Sequence, residues 1–131
     1  MALVDEFRLD AVKNGVDGPE GKLTEINTVS VAFFSGINTR LCNTFSSIFD
    51  TGSPINLIQR SRVPTNTMLS KRRYSGYRTV GSFPLCTYGI IQVQLSFRDR
   101  IKIIDVYVVP DHFLSYPLLL GRDFLRKFGI T

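Results

Sequence analysis

The sequence predicts an all-β domain that ends in one short helix. Three observations carry this. β-Branched and aromatic runs recur with turn residues between them. One run alternates, with Ile91, Val93, Leu95 and Phe97 set against Gln92, Gln94 and Ser96. Helix-terminus signals gather at Arg122–Phe128 alone. The 131 residues are 44% hydrophobic, enough for one core, which excludes a disordered tail or a coiled-coil rod and argues against a second domain.

Residues 1–27 read as an N-terminal extension or linker. Gly15, Gly18, Pro19 and Gly21 interrupt this stretch, and it shows little periodicity. It is also acidic, with Asp5, Glu6, Asp10, Asp17, Glu20 and Glu25 against Arg8, Lys13 and Lys22. The folded domain is expected over 28–131. Val29–Phe34 is a β-rich run closed by a turn at Ser35-Gly36 and Asn38, and Leu41–Phe49 is a second strand rich in Thr, Phe and Ile. Tyr74–Val80 and Leu85–Phe97 form a hairpin around Gly81, and Ile101–Val109 follows a charged Arg98-Asp99-Arg100 turn. Pro117–Leu120 is a short apolar strand. Arg122–Phe128 is the helix, because Asp123 lies in its first turn, Arg126 and Lys127 in its last, and Gly129 supplies the stop.

Charge and cysteine content exclude more than they assign. The net charge is +5, and because the extension is acidic the excess of bases falls on the domain. Arg60, Arg62, Lys71, Arg72, Arg73 and Arg78 form a basic stretch that reads as a solvated loop and hairpin shoulder. No nucleic-acid-binding motif accompanies it and no aromatics are interleaved at stacking spacing, so nucleic acid is not expected as a direct ligand. Cys42 and Cys86 lie far apart without partners at ligand spacing, and His112 is the single histidine, so neither a disulfide framework nor a metal site is expected. Both thiols read as buried core residues. Asp5, Glu6, Arg8 and Asp10 break any secretory apolar run, and no segment nears the ~18 apolar residues of a membrane span. A soluble protein of a reducing, intracellular compartment is the expectation.

The informative segment is Ser47-Ile48-Phe49-Asp50-Thr51-Gly52-Ser53. An aspartate ends an apolar strand and enters a Thr-Gly-Ser turn, where it is held at the edge of a core. Alone, this reads equally as an ordinary Asp-x-Gly turn. A second element, Leu118-Leu119-Leu120-Gly121-Arg122-Asp123-Phe124-Leu125, is alone no more than a buried strand turning into a helix. The two together resemble one half of an aspartic protease.

The match is to the retropepsins, the aspartic proteases of retroviruses and LTR retrotransposons, over about Thr28 to Ile130. Phe49-Asp50-Thr51-Gly52-Ser53 resembles the family's catalytic motif, and Leu119-Leu120-Gly121-Arg122-Asp123 its hydrophobic-hydrophobic-Gly-Arg-Asp/Asn structural turn. Thr79-Val80-Gly81-Ser82 falls where the family places its flap. The ending Leu120-Gly121-Arg122-Asp123-Phe124-Leu125 is more similar to Ty3/gypsy-type retrotransposon members than to lentiviral ones.

The resemblance implies a closed β-barrel monomer with a flap hairpin and one short C-terminal helix, acting as a homodimer. It also implies an aspartic endopeptidase that needs no cofactor and no metal and processes a Gag-Pol-type polyprotein. Its place would be cytoplasmic, within virus-like particles if the element is active. Asp50 would be general base in one protomer and general acid in the other, Thr51 would bond across the two-fold axis, and Gly52 would leave room for the substrate backbone. Ser53, Ile55, Val80, Gly81, Ser82 and Leu118 are the implied substrate contacts, with Gly81 at the flap tip. The alternative is a domesticated retropepsin-like module that dimerises or binds peptides without hydrolysis.

Two departures qualify the match. Pro54 stands where retroviral members commonly have an acid in reach of the final turn's arginine, so Arg122 must find Asp123 or a backbone carbonyl instead. The chain stops at Gly129-Ile130-Thr131, a poor clamp for a partner, so the expected dimer is either weak or supported by the extension around Leu23 to Thr28.

Overall fold

The computed structural model describes residues 24–34, 40–67, 69, 70 and 87–130. Among them are six strands: β1 (Thr24–Phe34), β2 (Arg40–Asp50), β3 (Leu57–Gln59), β4 (Gly89–Phe97), β5 (Arg100–Val109) and β6 (Leu118–Leu120). One helix, α1 (Arg122–Lys127), follows. The strands close into a barrel in the order β1-β2-β6-β3-β5-β4.

The period of two in the sequence sets which side chains fill the barrel. β1 and β2 pair antiparallel from Thr24↔Asp50 to Phe34↔Arg40. Val29, Val31 and Phe33 point inward with Phe45 and Phe49, while Ser30, Thr44 and Ser46 face out. Ile91, Val93 and Leu95 of β4 meet Ile104, Val106 and Val108 of β5 in the same core. Each such side chain contributes roughly 1.5–3 kcal/mol when fully buried.

β6 is the strand that positions the rest. It runs parallel to β2, pairing Ser47↔Leu118, Ile48↔Leu119 and Phe49↔Leu120, and antiparallel to β3. Parallel pairing brings the ends of β2 and β6 out side by side, so Asp50 and Gly121 leave the sheet as neighbours. All three leucines have no exposed surface, because Leu118 and Leu120 face the main core and Leu119 a second one with Ile48, Ile55, Leu57, Val109 and Leu114. That is why the run is continuously apolar rather than alternating. α1 then lays Phe124 and Leu125 on the barrel, with the Phe124 ring 4.9 Å from Phe49 and 4.7 Å from Phe128.

Several elements differ from the sequence expectation. β1 begins at Thr24, five residues ahead of Val29, because the polar Thr24–Thr28 segment pairs with Ser46–Asp50. β3 was not foreseen; three residues followed by a 3₁₀ turn at Arg60–Arg62 give too short a pattern to read. β4 starts at Gly89 rather than Leu85, where φ is +145° and a Cβ would press on the Ser70 carbonyl oxygen at 2.9 Å. The charged turn is a two-residue one, with Arg98 and Asp99 both at positive φ (51° and 63°) and Arg100 already in β5. The helix ends at Lys127 with Phe128 as its C-cap, and Gly129 at φ 67° stops it as expected.

Cys42 corrects the expectation of a buried thiol. It lies on the outward parity of β2 opposite Ala32 and is exposed. Residues 1–23, the Ser35-Gly36 and Asn38 turn, the strand at Tyr74–Val80, the flap residues Val80, Gly81 and Ser82, the bases Lys71, Arg72, Arg73 and Arg78, and Cys86 lie outside the described residues. The chain on either side of 71–86 is bridged, because Ser70 and Ile90 exchange two antiparallel backbone hydrogen bonds of 2.9 Å.

Candidate active site

Asp50 is the last residue of β2 and has no exposed surface. A carboxylate buried at a strand end needs donors, and the tight turn after it supplies one: the Gly52 N–H donates to Asp50 Oδ1 at 2.7 Å. The Ser53 N–H closes the turn on the Asp50 carbonyl at 3.1 Å. Ser53 is itself buried, and its hydroxyl donates to the Ile55 carbonyl at 2.8 Å. The loop is therefore held from within by three hydrogen bonds.

A second set of bonds holds it from outside. The Arg122 N–H donates to the Ser53 carbonyl at 2.7 Å, and Arg122 Nη1 donates to the Thr51 carbonyl at 3.1 Å. Among the described residues the Thr51 carbonyl, and not Asp123, thus takes up the Arg122 guanidinium, with Pro54 in place of an acid. Gly121 permits the approach, since a Cβ there would collide with the carbonyl oxygens of Ser53 and Ile55. Asp123 points elsewhere, accepting from Asn56 Nδ2 at 2.9 Å and lying 3.3 Å from Lys127 Nζ.

A family model described as retroviral aspartyl protease matches residues 27–131. The chain belongs to the retroviral aspartyl protease family. Among solved structures, EIAV protease in complex with the inhibitor HBY-793 is similar at 20% identity and a TM-score of 0.51, covering 88% of this chain and 96% of that one. At that identity the likeness concerns the fold, a mostly-strand closed barrel with one short helix. A protein of unknown function from Legionella pneumophila is similar at 19% identity and a TM-score of 0.48, over 81% of this chain and 87% of that one. No curated protein matches the chain.

Within this retroviral protease fold the named residues divide by position. Asp50, Thr51, Gly52 and Ser53 form one loop, and Gly121 and Arg122 bind it from the β6–α1 junction. Ile55 is 6% exposed and borders an open cleft of ≈ 390 Å³ together with Pro54, Asn56, Asp105, Arg122 and Asp123. Leu118, Leu119 and Leu120 are wholly buried, and within the single chain Leu118 packs in the barrel core. Among the described residues no group of acids, cysteines and histidine gathers at metal-binding distance, and no helix is long and apolar enough to cross a membrane.

Asn56 is the site residue that the sequence reading passed over. It is 1% exposed, and its side chain binds Gly121, Asp105 and Asp123. The available signal was its place: one amide between Ile55 and Leu57-Ile58, straight after the Asp-Thr-Gly loop, has to be satisfied inside the core.

Proposed function

We propose that this chain is an aspartic endopeptidase of an LTR retrotransposon or retrovirus-like element, cutting a Gag-Pol-type polyprotein as a homodimer. The observation that carries the reading is a wholly buried Asp50, held by the Gly52 N–H in an Asp-Thr-Gly loop, in a member of the retroviral aspartyl protease family. The Ty3/gypsy-type assignment rests on the ending Leu120-Gly121-Arg122-Asp123-Phe124-Leu125.

The chemistry follows from what hydrolysis needs. Peptide cleavage without a metal or covalent intermediate requires a water made nucleophilic and a leaving amine that receives a proton. Two carboxylates sharing one proton do both. The chain has one Asp-Thr-Gly. The second carboxylate is therefore Asp50 of another copy, with the reacting water on the two-fold axis. The Asp50 that carries no proton takes one from the water; the other gives its proton to the departing nitrogen. The pair titrates as a dyad with two separated apparent values, so the rate is bell-shaped in pH.

Substrate would lie as an extended strand between the Asp50 loop and a flap at Val80-Gly81-Ser82, with Gly52 admitting its backbone and Ser53 and Ile55 beside it. The Ser70–Ile90 bridge supports a hairpin there by bringing the two arms of that segment together. Residues 1–27 would serve as an extension whose last four residues, Thr24–Asn27, run into β1 and pair with Ser47–Asp50. Pepstatin-sensitive cleavage of polyprotein-derived peptides at about pH 5 supports this reading. A folded chain that binds such peptides and leaves them intact contradicts it.

A further inference from the structure

Asn56 stands where the catalytic loop re-enters the barrel, and its primary amide has two donor hydrogens and one acceptor oxygen. All three faces are used. Oδ1 accepts the Gly121 N–H at 3.0 Å, while Nδ2 donates to the Asp105 carbonyl at 3.0 Å and to Asp123 Oδ2 at 2.9 Å. Its backbone carbonyl accepts the Tyr107 N–H at 2.9 Å. One buried side chain thus joins the loop's exit to β5, to the β6–α1 turn and to the first turn of the helix.

Asparagine's short primary amide meets that set of partners, and three alternatives do not. Aspartate has the shape but no donors, and would set negative charge against Asp123 and the Asp105 carbonyl. Leucine would leave the Gly121 N–H and the Asp123 oxygen without this partner in a tight site, and serine offers one donor on a shorter arm. Gly121 and Arg122 in turn bear on Ser53 and Thr51, so the position of Asn56 is passed directly to the loop that holds Asp50.

We propose that Asn56 is a positioning residue for the Asp50 carboxylate: by tying Gly121 and Asp123 to the loop's exit, it fixes the turn that places the Gly52 N–H on Asp50. The pairing with Asp123 is polar in one direction, amide to carboxylate, and is therefore reversible by exchange. The kinetic part rests on the protease reading; the structural part does not.

The test compares the wild-type chain with Asn56→Asp and with the exchanged pair Asn56→Asp/Asp123→Asn. Circular dichroism reports whether each is folded. In Asn56→Asp, amide hydrogen exchange at Gly52 should speed about tenfold or more while Leu95 and Val106 in the β4–β5 core keep their wild-type rates. Its kcat should fall about tenfold or more with KM within about twofold, as expected for lost placement rather than lost substrate binding. The exchanged pair restores an amide facing a carboxylate, but not the bond to the Asp105 carbonyl, and should recover part of both losses. Wild-type Gly52 exchange in folded Asn56→Asp, or an exchanged pair no better than the single variant, overturns the proposal. If Asn56→Asp fails to fold, Asp123→Ala decides the question, because it cuts the Asn56–Asp123 bond at a partly exposed position: Gly52 exchange about tenfold or more faster than wild type supports the proposal, and a wild-type rate overturns it. A wild-type chain that cleaves nothing refutes the protease reading instead, and Gly52 exchange then decides the role of Asn56.

Discussion

Gly121 lies so close under the Ser53 carbonyl that a Cβ at position 121 would strike that oxygen. The Ile55 carbonyl blocks the same space, and both obstacles are backbone, so no side chain can swing aside. The glycine is needed for close approach: it lets the Arg122 N–H reach Ser53 at 2.7 Å.

Gly121→Ala is therefore expected to cost roughly 3 kcal/mol or more, beyond what overpacking usually costs, because the loop and the β6–α1 junction must separate. Urea unfolding of the variant checks this. A midpoint within error of wild type would show that the junction has slack.

Asp50→Asn keeps the shape and the acceptor for the Gly52 N–H while removing the charge. Cleavage should fall by about a thousandfold or more, within the range contributed by general acid–base groups, and the fold should be retained. Peptide cleavage assays paired with thermal unfolding read the two effects separately.

Phe124→Ala removes the ring that joins α1 to Phe49 and Phe97 in the core. The side chain has no exposed surface, so a loss of roughly 3–5 kcal/mol is expected. Denaturant titration measures it, and a loss below about 1 kcal/mol would mean that the site collapses around the gap.

Asp111 carries the pH-dependent prediction. Hydrogen bonds from the Ser61 side chain and backbone hold its carboxyl below the usual carboxylate range, with Arg62 and His112 adding to this. Because the folded value is the lower one, the stabilisation is present above the ordinary carboxylate pKa and is lost as pH falls through the lowered value. Asp111 is exposed, so screening keeps the effect under ~1 kcal/mol. The stability gap between wild type and Asp111→Asn should be present at pH 7 and shrink below about pH 4. A gap that widens with acid would reverse the sign.

How far the sequence could be read depended on the range of the interactions. Alternation in Ile91–Phe97 and the apolar run Leu118–Leu120 were visible because burial repeats at the strand period, and Gly129 marked the helix stop through local backbone geometry. The Asp50 loop was legible as a motif. Its supports were less so. The Arg122 contact with Thr51 and the Asn56 contacts with Gly121 and Asp123 join residues far apart in the chain, and no local pattern announces such a pairing. β3 and the Thr24–Thr28 start of β1 were missed for the same reason, since neighbouring strands and not their own composition make them extended. Cys42 was misplaced because small apolar character alone does not tell which face of β2 it takes.

The central claim is that one active site needs Asp50 from two copies. Mixing Asp50→Asn chains with wild type under conditions where the chains dimerise and exchange tests it most directly. With wild type held constant, an equal amount of the variant should reduce activity to about half, since half of the wild-type chains then sit in mixed dimers with one carboxylate. Activity that stays at the wild-type level at every mixing ratio would contradict a shared site.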